Sequence, residues 1–177
     1  KEDWSSYSAL IDAYEIKKIL KDSTLKVNFE IAVSKLEYLR LGKLSPSEVF
    51  NLDKLAKFYV ISDLFSAYHA QQFPNLRFYF NKSDSLLEPI GFDADGLTSR
   101  KIFFGEELSF SNDKLYNGRR YEHRLNFLLE DEDFVLLYHK YLEKFSTEKF
   151  IKIMEDSLEN DFRTRNKLPE LMFYNHT

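Results

Sequence analysis

Residues Asn75 to Gly96 read NLRFYFNKSDSLLEPIGFDADG, and the period of this stretch decides the fold. Leu76, Phe78 and Phe80 alternate with Arg77 and Tyr79, which is the two-residue period of a strand. Lys82-Ser83-Asp84-Ser85 supplies turn residues, and Leu86 to Phe92 reads as the returning strand. Pro89 offers no ladder donor, so that strand belongs at an edge or ends its pairing there. Helical spacing flanks the stretch on both sides. The expected class is therefore mainly α with one short β-hairpin, an α+β chain in which the hairpin is the sole β island.

Immediately upstream, Leu52 to Tyr68 is apolar nearly all round, with Leu55, Ala56, Tyr59, Val60 and Leu64 among its residues, and predicts one helix buried on most faces. Ser45-Pro46-Ser47-Glu48 announces a helix start: a capping serine, a first-turn proline and a glutamate three residues on. Farther back, Ser5-Ser6 caps a helix carrying Leu10, Ile11 and Tyr14 to about Leu20, and Phe29, Ala32, Val33, Leu36 and Arg40 predict a second that ends at Gly42. Downstream, Leu97 to Tyr121 has no sustained period and reads as a long loop. Helices return over Glu122 to Leu129, from an Asp131 cap through Phe134, Leu137, Tyr138 and Tyr141, and from a Ser146 cap through Phe150, Ile153 and Met154, with Pro169 closing the last element.

At 177 residues and 44% hydrophobic, the chain is expected to form a single domain over 1–177, with its core in 45–96 and its C-terminal helices in 122–168. A net charge of -4 lacks the basic footprint of nucleic-acid binding, so nucleic acid is not an expected partner. The absence of cysteine excludes thiolate metal sites, thiol nucleophiles and disulfides. No apolar run approaches the roughly 18 residues of a membrane span, and the start, KEDWSSYSAL, lacks the signal-peptide pattern. With Lys1 first, the chain reads as a mature form or as a piece of a longer protein.

The chemistry on offer gathers around the hairpin. Asp93 and Asp95, one residue apart and followed by Gly96, can turn toward one hard cation such as magnesium or calcium, or form an ordinary surface turn. His69, at the end of the apolar helix, fits an acid or base and equally a helix C-terminal cation. Asn75 can hold a metal or cap the loop, and Arg77 can grip an anion or face water. His123, His139 and His176 show no His-x-x-x-His spacing, and neither a Gly-x-Ser-x-Gly elbow nor a glycine-rich phosphate loop is present. Arg119, Arg120 and Arg124 form one small basic cluster, and the acidic run Glu130 to Asp133 reads as a helix start.

Three segments, DLFSAYHA (63–70), NLRFYFN (75–81) and LEPIGFDADG (87–96), resemble the CotH family, the spore-coat-type atypical protein kinases of large bacterial surface or secreted proteins. FVLLYHKYLEKFS (134–146) resembles it more loosely. The resemblance implies the helical C-terminal lobe of a kinase-like fold that binds ATP phosphates through Mg2+ and phosphorylates a protein hydroxyl. It implies that Asn75 and Asp93 bind cofactor and metal, that Asp95 is a further metal ligand, and that His69 and Arg77 lie near the transferred phosphate as catalytic residues. It also implies an upstream N-terminal lobe as partner and an extracytoplasmic or cell-surface location. The sequence departs from the family pattern in two places. The catalytic aspartate of a kinase precedes the loop asparagine by five positions, and here that position is Ala70. No glycine-rich covering loop or strand lysine is recognisable, so the chain looks like the C-lobe alone, weak or silent in isolation. The alternative expectation is a non-catalytic, pseudokinase-like binding or structural module.

Overall fold

The computed structural model describes residues 11–71, 75–94, 115–116, 119–120 and 126–173. In chain order the elements are α1 (Ile16–Ile19), α2 (Ser23–Arg40), α3 (Pro46–Val49), α4 (Leu52–Leu64), α5 (Tyr68–Gln71), β1 (Arg77–Asn81), β2 (Leu86–Ile90), β3 (Leu115–Tyr116), β4 (Arg119–Arg120), α6 (Asn126–Leu129), α7 (Glu132–Phe145) and α8 (Glu148–Phe173). The α+β class, mainly helical, is as expected. No helix among the described residues is long and apolar enough to cross a membrane.

The core is built where two capped helices meet. Asn51 caps α4, its side-chain oxygen accepting from the Lys54 amide at 3.1 Å, and Asp131 caps α7, accepting from the Phe134 amide at 2.8 Å. In α7, Phe134, Tyr138, Tyr141 and Phe145 recur at three- and four-residue spacing and are all buried. They meet Leu55, Ala56, Tyr59 and Val60 of α4. The Tyr59 and Phe134 rings pack edge to face, 6.0 Å apart at 88°. Leu128 of α6 is buried in the same cluster.

The hairpin is tied to this core along β2. Leu87 is buried, its carbonyl accepts from the Asn51 amide at 3.0 Å, and Phe50 lies beside it in a parallel bridge. Phe50 also packs against Phe78 of β1, ring centroids 5.2 Å apart. At the edge of this contact Lys54 Nζ reaches Glu88 at 2.6 Å, and Asn81 Nδ2 donates to the other Glu88 oxygen at 3.0 Å. The ladder is antiparallel and in register from Arg77↔Ile90 to Asn81↔Leu86. Pro89 pairs opposite Phe78 within it.

Several expectations are corrected. The apolar helix does not run to Tyr68: α4 stops at Leu64, and the Ala67 amide donates to the Ser62 carbonyl (2.7 Å) while that of Ser66 donates to Asp63 (3.1 Å). That pair of bonds is the Schellman stop, with Ser66 at φ 53 in the left-handed position usually given to glycine. Gly42 ends α2 by the same pair, to Tyr38 and Leu39. Helix α2 begins at Ser23, capped by Asp22, well before Phe29. Residues 11–15 are not helical, and the φ of 54 at Glu15 breaks any turn arriving at α1; Tyr14, 90% exposed, has no core face to hold such a helix. Thr147, rather than Ser146, caps α8, its hydroxyl accepting from the Phe150 amide at 3.3 Å. Helix α8 also continues through Pro169 to Phe173, since a proline withdraws one backbone donor while the bonds on either side carry the helix on. Within the expected long loop, β3 and β4 form a second, two-residue antiparallel pair, so the first hairpin is not the sole β structure. Ser5, Ser6, Leu10 and residues 122–125 of the helix expected over Glu122 to Leu129 lie outside the described residues.

Two outcomes follow from this packing. Phe134→Ala empties a fully buried site and lowers the unfolding free energy by about 3–5 kcal/mol in urea titration. Leu136→Ala on the same helix, 67% exposed, changes it by no more than about 0.5 kcal/mol. The second concerns Asp53, whose carboxyl is held below its ordinary 3.8 by the Lys57 ammonium 2.5 Å away and by the Tyr141 hydroxyl, against a smaller opposing effect of burial. A carboxyl depressed in the folded state stabilises it above the unfolded value and loses that contribution as pH falls through the folded value. Thermal melts of Asp53→Asn therefore fall below wild type near neutral pH and converge on it below pH of about 4, by a modest margin because the side chain is half exposed and screened.

Candidate functional site

The register of the hairpin explains how residues eighteen apart come together. Continued past Arg77↔Ile90, the ladder runs out at Asn75 on one side and Phe92–Asp93 on the other. There the Asn75 side-chain amide donates to Asp93 Oδ2 at 2.8 Å. It also donates to the His69 carbonyl at 3.0 Å, which brings in the last turn before the hairpin. His69 Nδ1 stands 3.4 Å from the same Asp93 oxygen. Three of the expected site residues, His69, Asn75 and Asp93, thus meet at the open end of the hairpin.

Each is placed by local structure. His69 rides on α5, a single turn in which Ala70 is buried, as is Ala67 just before it. Asp93 sits at φ 50, in the left-handed region that aspartate tolerates better than most residues, and this turn sends its carboxylate back over the hairpin end. The His69 and Asp93 side chains are 38% and 45% exposed, so a dissolved ligand can reach them. The Arg77 guanidinium lies over the Phe92 ring, 4.7 Å from the centroid, and donates to the Leu76 carbonyl at 3.2 Å. Phe92 and Asp93 are adjacent in the chain, so the arginine borders the site through that ring. Asp95 lies outside the described residues.

Both hydrogens of the Asn75 side-chain amide are committed to oxygens, and among the described residues no hydrogen bond engages Oδ1 of Asn75 or Oδ1 of Asp93. Among the described residues no three His, Asp or Glu side chains gather into a metal cage.

Sequence reasoning missed the polar cluster beneath this site. Asp63, 3% exposed, accepts from Gln71 Nε2 at 2.6 Å on one oxygen and from the Tyr138 hydroxyl at 2.5 Å on the other. Burial, and after it the Asp63 carboxylate, push the Tyr59 hydroxyl above its ordinary range, which keeps it protonated. A signal was present: an aspartate inside an otherwise apolar helix is almost never buried without partners. No family model, curated protein or solved structure matches this chain.

Proposed function

We propose that this chain is the helical lobe of a CotH-like, kinase-type fold, and that Asn75 and Asp93 bind the phosphates of a nucleotide through Mg2+. The observation that carries the reading is the 2.8 Å bond between Asn75 and Asp93, which sets an amide and a carboxylate side by side at the hairpin end. The metal supplies charge neutralisation at the phosphoryl oxygens. Asn75 fixes the carboxylate against the His69 carbonyl, so that ligand geometry does not have to be organised when the nucleotide arrives. His69, beside Asp93 and part exposed, is the group able to share a proton with that carboxylate.

Ala70 favours binding without transfer as the second reading. It occupies the place where the resemblance puts a catalytic aspartate, its methyl is 2% exposed, and no carboxylate is available there to take a hydroxyl proton. Under this reading the protein is a pseudokinase-like module that holds a nucleotide.

Titration with Mn2+ and a fluorescent adenine nucleotide tests the site. Binding is expected to require the metal, to vanish in Asp93→Ala, and to weaken by about 10–100-fold in Asn75→Ala, with circular dichroism unchanged. Absence of metal-dependent nucleotide binding in the wild-type protein refutes the proposal. Incubation with nucleotide radiolabelled at the terminal phosphate separates the two readings: transfer that disappears in His69→Gln establishes a kinase, and binding without transfer establishes the non-catalytic module.

A further inference from the structure

We infer that Gln71, anchored on the buried Asp63–Tyr138 pair, is a positioning residue that sets the site at the hairpin end. The inference starts from the shortness of α5. One helical turn of four residues cannot hold its own geometry in water, because nucleation of a turn is unfavourable and propagation has no length over which to recover it. Its position is therefore imposed by what its side chains grip. Ala67 and Ala70 give it two buried methyls, which fix distance from the core but leave rotation about the turn weakly determined. Gln71 supplies direction: its amide, 5% exposed, donates to Asp63 at 2.6 Å.

Asp63 is itself held from two elements. It lies in the last turn of α4, and its second oxygen accepts from Tyr138, which belongs to α7 and is 75 residues away in sequence. A buried carboxylate with both oxygens engaged is a stiff anchor, since losing a donor weakens its hydrogen bonding in a low-dielectric interior. From this anchor the path to the surface is short. Gln71 fixes α5, α5 presents the His69 carbonyl, that carbonyl accepts from Asn75 at 3.0 Å, and the same amide holds Asp93 at 2.8 Å. Every step is a hydrogen bond or a turn of backbone.

A neighbouring bond gives the control. Tyr141 also joins α7 to α4, its hydroxyl donating to Asp53, but it has no link to α5. A merely structural tie between the two helices is lost equally in Tyr138→Phe and Tyr141→Phe. A positioning tie is felt at Asn75 in the first alone.

The part concerning nucleotide affinity rests on the proposed function, whereas the positioning itself is read without a ligand, from the side-chain amide of Asn75 in a 15N-labelled sample, assigned by its loss in Asn75→Ala. In Gln71→Met and Tyr138→Phe the Asn75 amide pair is expected to shift and to lose protection from solvent exchange by about tenfold, equal to about 1.4 kcal/mol, while in Tyr141→Phe it stays in place. An unmoved Asn75 amide in folded Gln71→Met, or an equal shift in Tyr141→Phe, overturns the inference. Tyr138→Phe keeps the test decisive should Gln71→Met not fold. Titration of the same variants with Mn2+ and nucleotide then reads the proposed function separately: an Asn75 shift without wild-type binding retains the positioning device and discards the kinase-like site.

Discussion

The edge-to-face packing of Tyr59 on Phe134 is the constraint on which the rest of the molecule depends. It locks α4 against α7, and every other described part of the core is arranged by reference to that pair. Neither helix would be stable alone, since most helical stability in a protein comes from burying one face. Their N-terminal caps, Asn51 and Asp131, start the two helices cleanly and place the aromatic stripe of one over the apolar stripe of the other. Asp63 lies on the same seam as these rings, so the helix pair that buries the aromatics also buries a carboxylate, and the tyrosine hydroxyl makes that burial tolerable.

From that seam the hairpin inherits its position. The Asn51 amide that begins the approach to α4 also binds Leu87 of β2, so helix start and strand share one residue. Thirteen residues of helix later the chain returns through α5 to the other end of the hairpin. The hairpin is thus held along β2 by Asn51 and Phe50 and at its open end by Asn75, and the candidate site lies at the second of these places. A two-stranded sheet is marginal by itself; this one is made rigid by what grips it.

Much of this was legible in residues. Alternating aromatics announced β1, the turn residues 82–85 announced the bend, and the capping signature at Ser45 announced α3, where the Ser45 amide donates to Glu48 at 2.8 Å. The meeting of His69, Asn75 and Asp93 could not be read from spacing, which left turn and metal site both open at the aspartates. The end of α4 was not legible: the apolar pattern runs on through Phe65 and Ala67, and the left-handed residue that stops the helix is a serine instead of a marked glycine. The Asp63–Gln71–Tyr138 cluster was hidden for a different reason. Its members are far apart in sequence, and only the crossing of α4 and α7 brings the tyrosine to the aspartate.

The bond from Asn75 to position 69 is made to a backbone carbonyl, and this divides the site unequally for evolution. Any amino acid supplies that oxygen, so the side chain at 69 can drift, acquiring or discarding an acid-base group, without loosening the pair beside it. The side chain at 75 has no such liberty, for it must satisfy a carbonyl and a carboxylate at once. A lineage built on this scaffold can therefore exchange the side chain at one position while the Asn75–Asp93 bond passes unaltered to descendants.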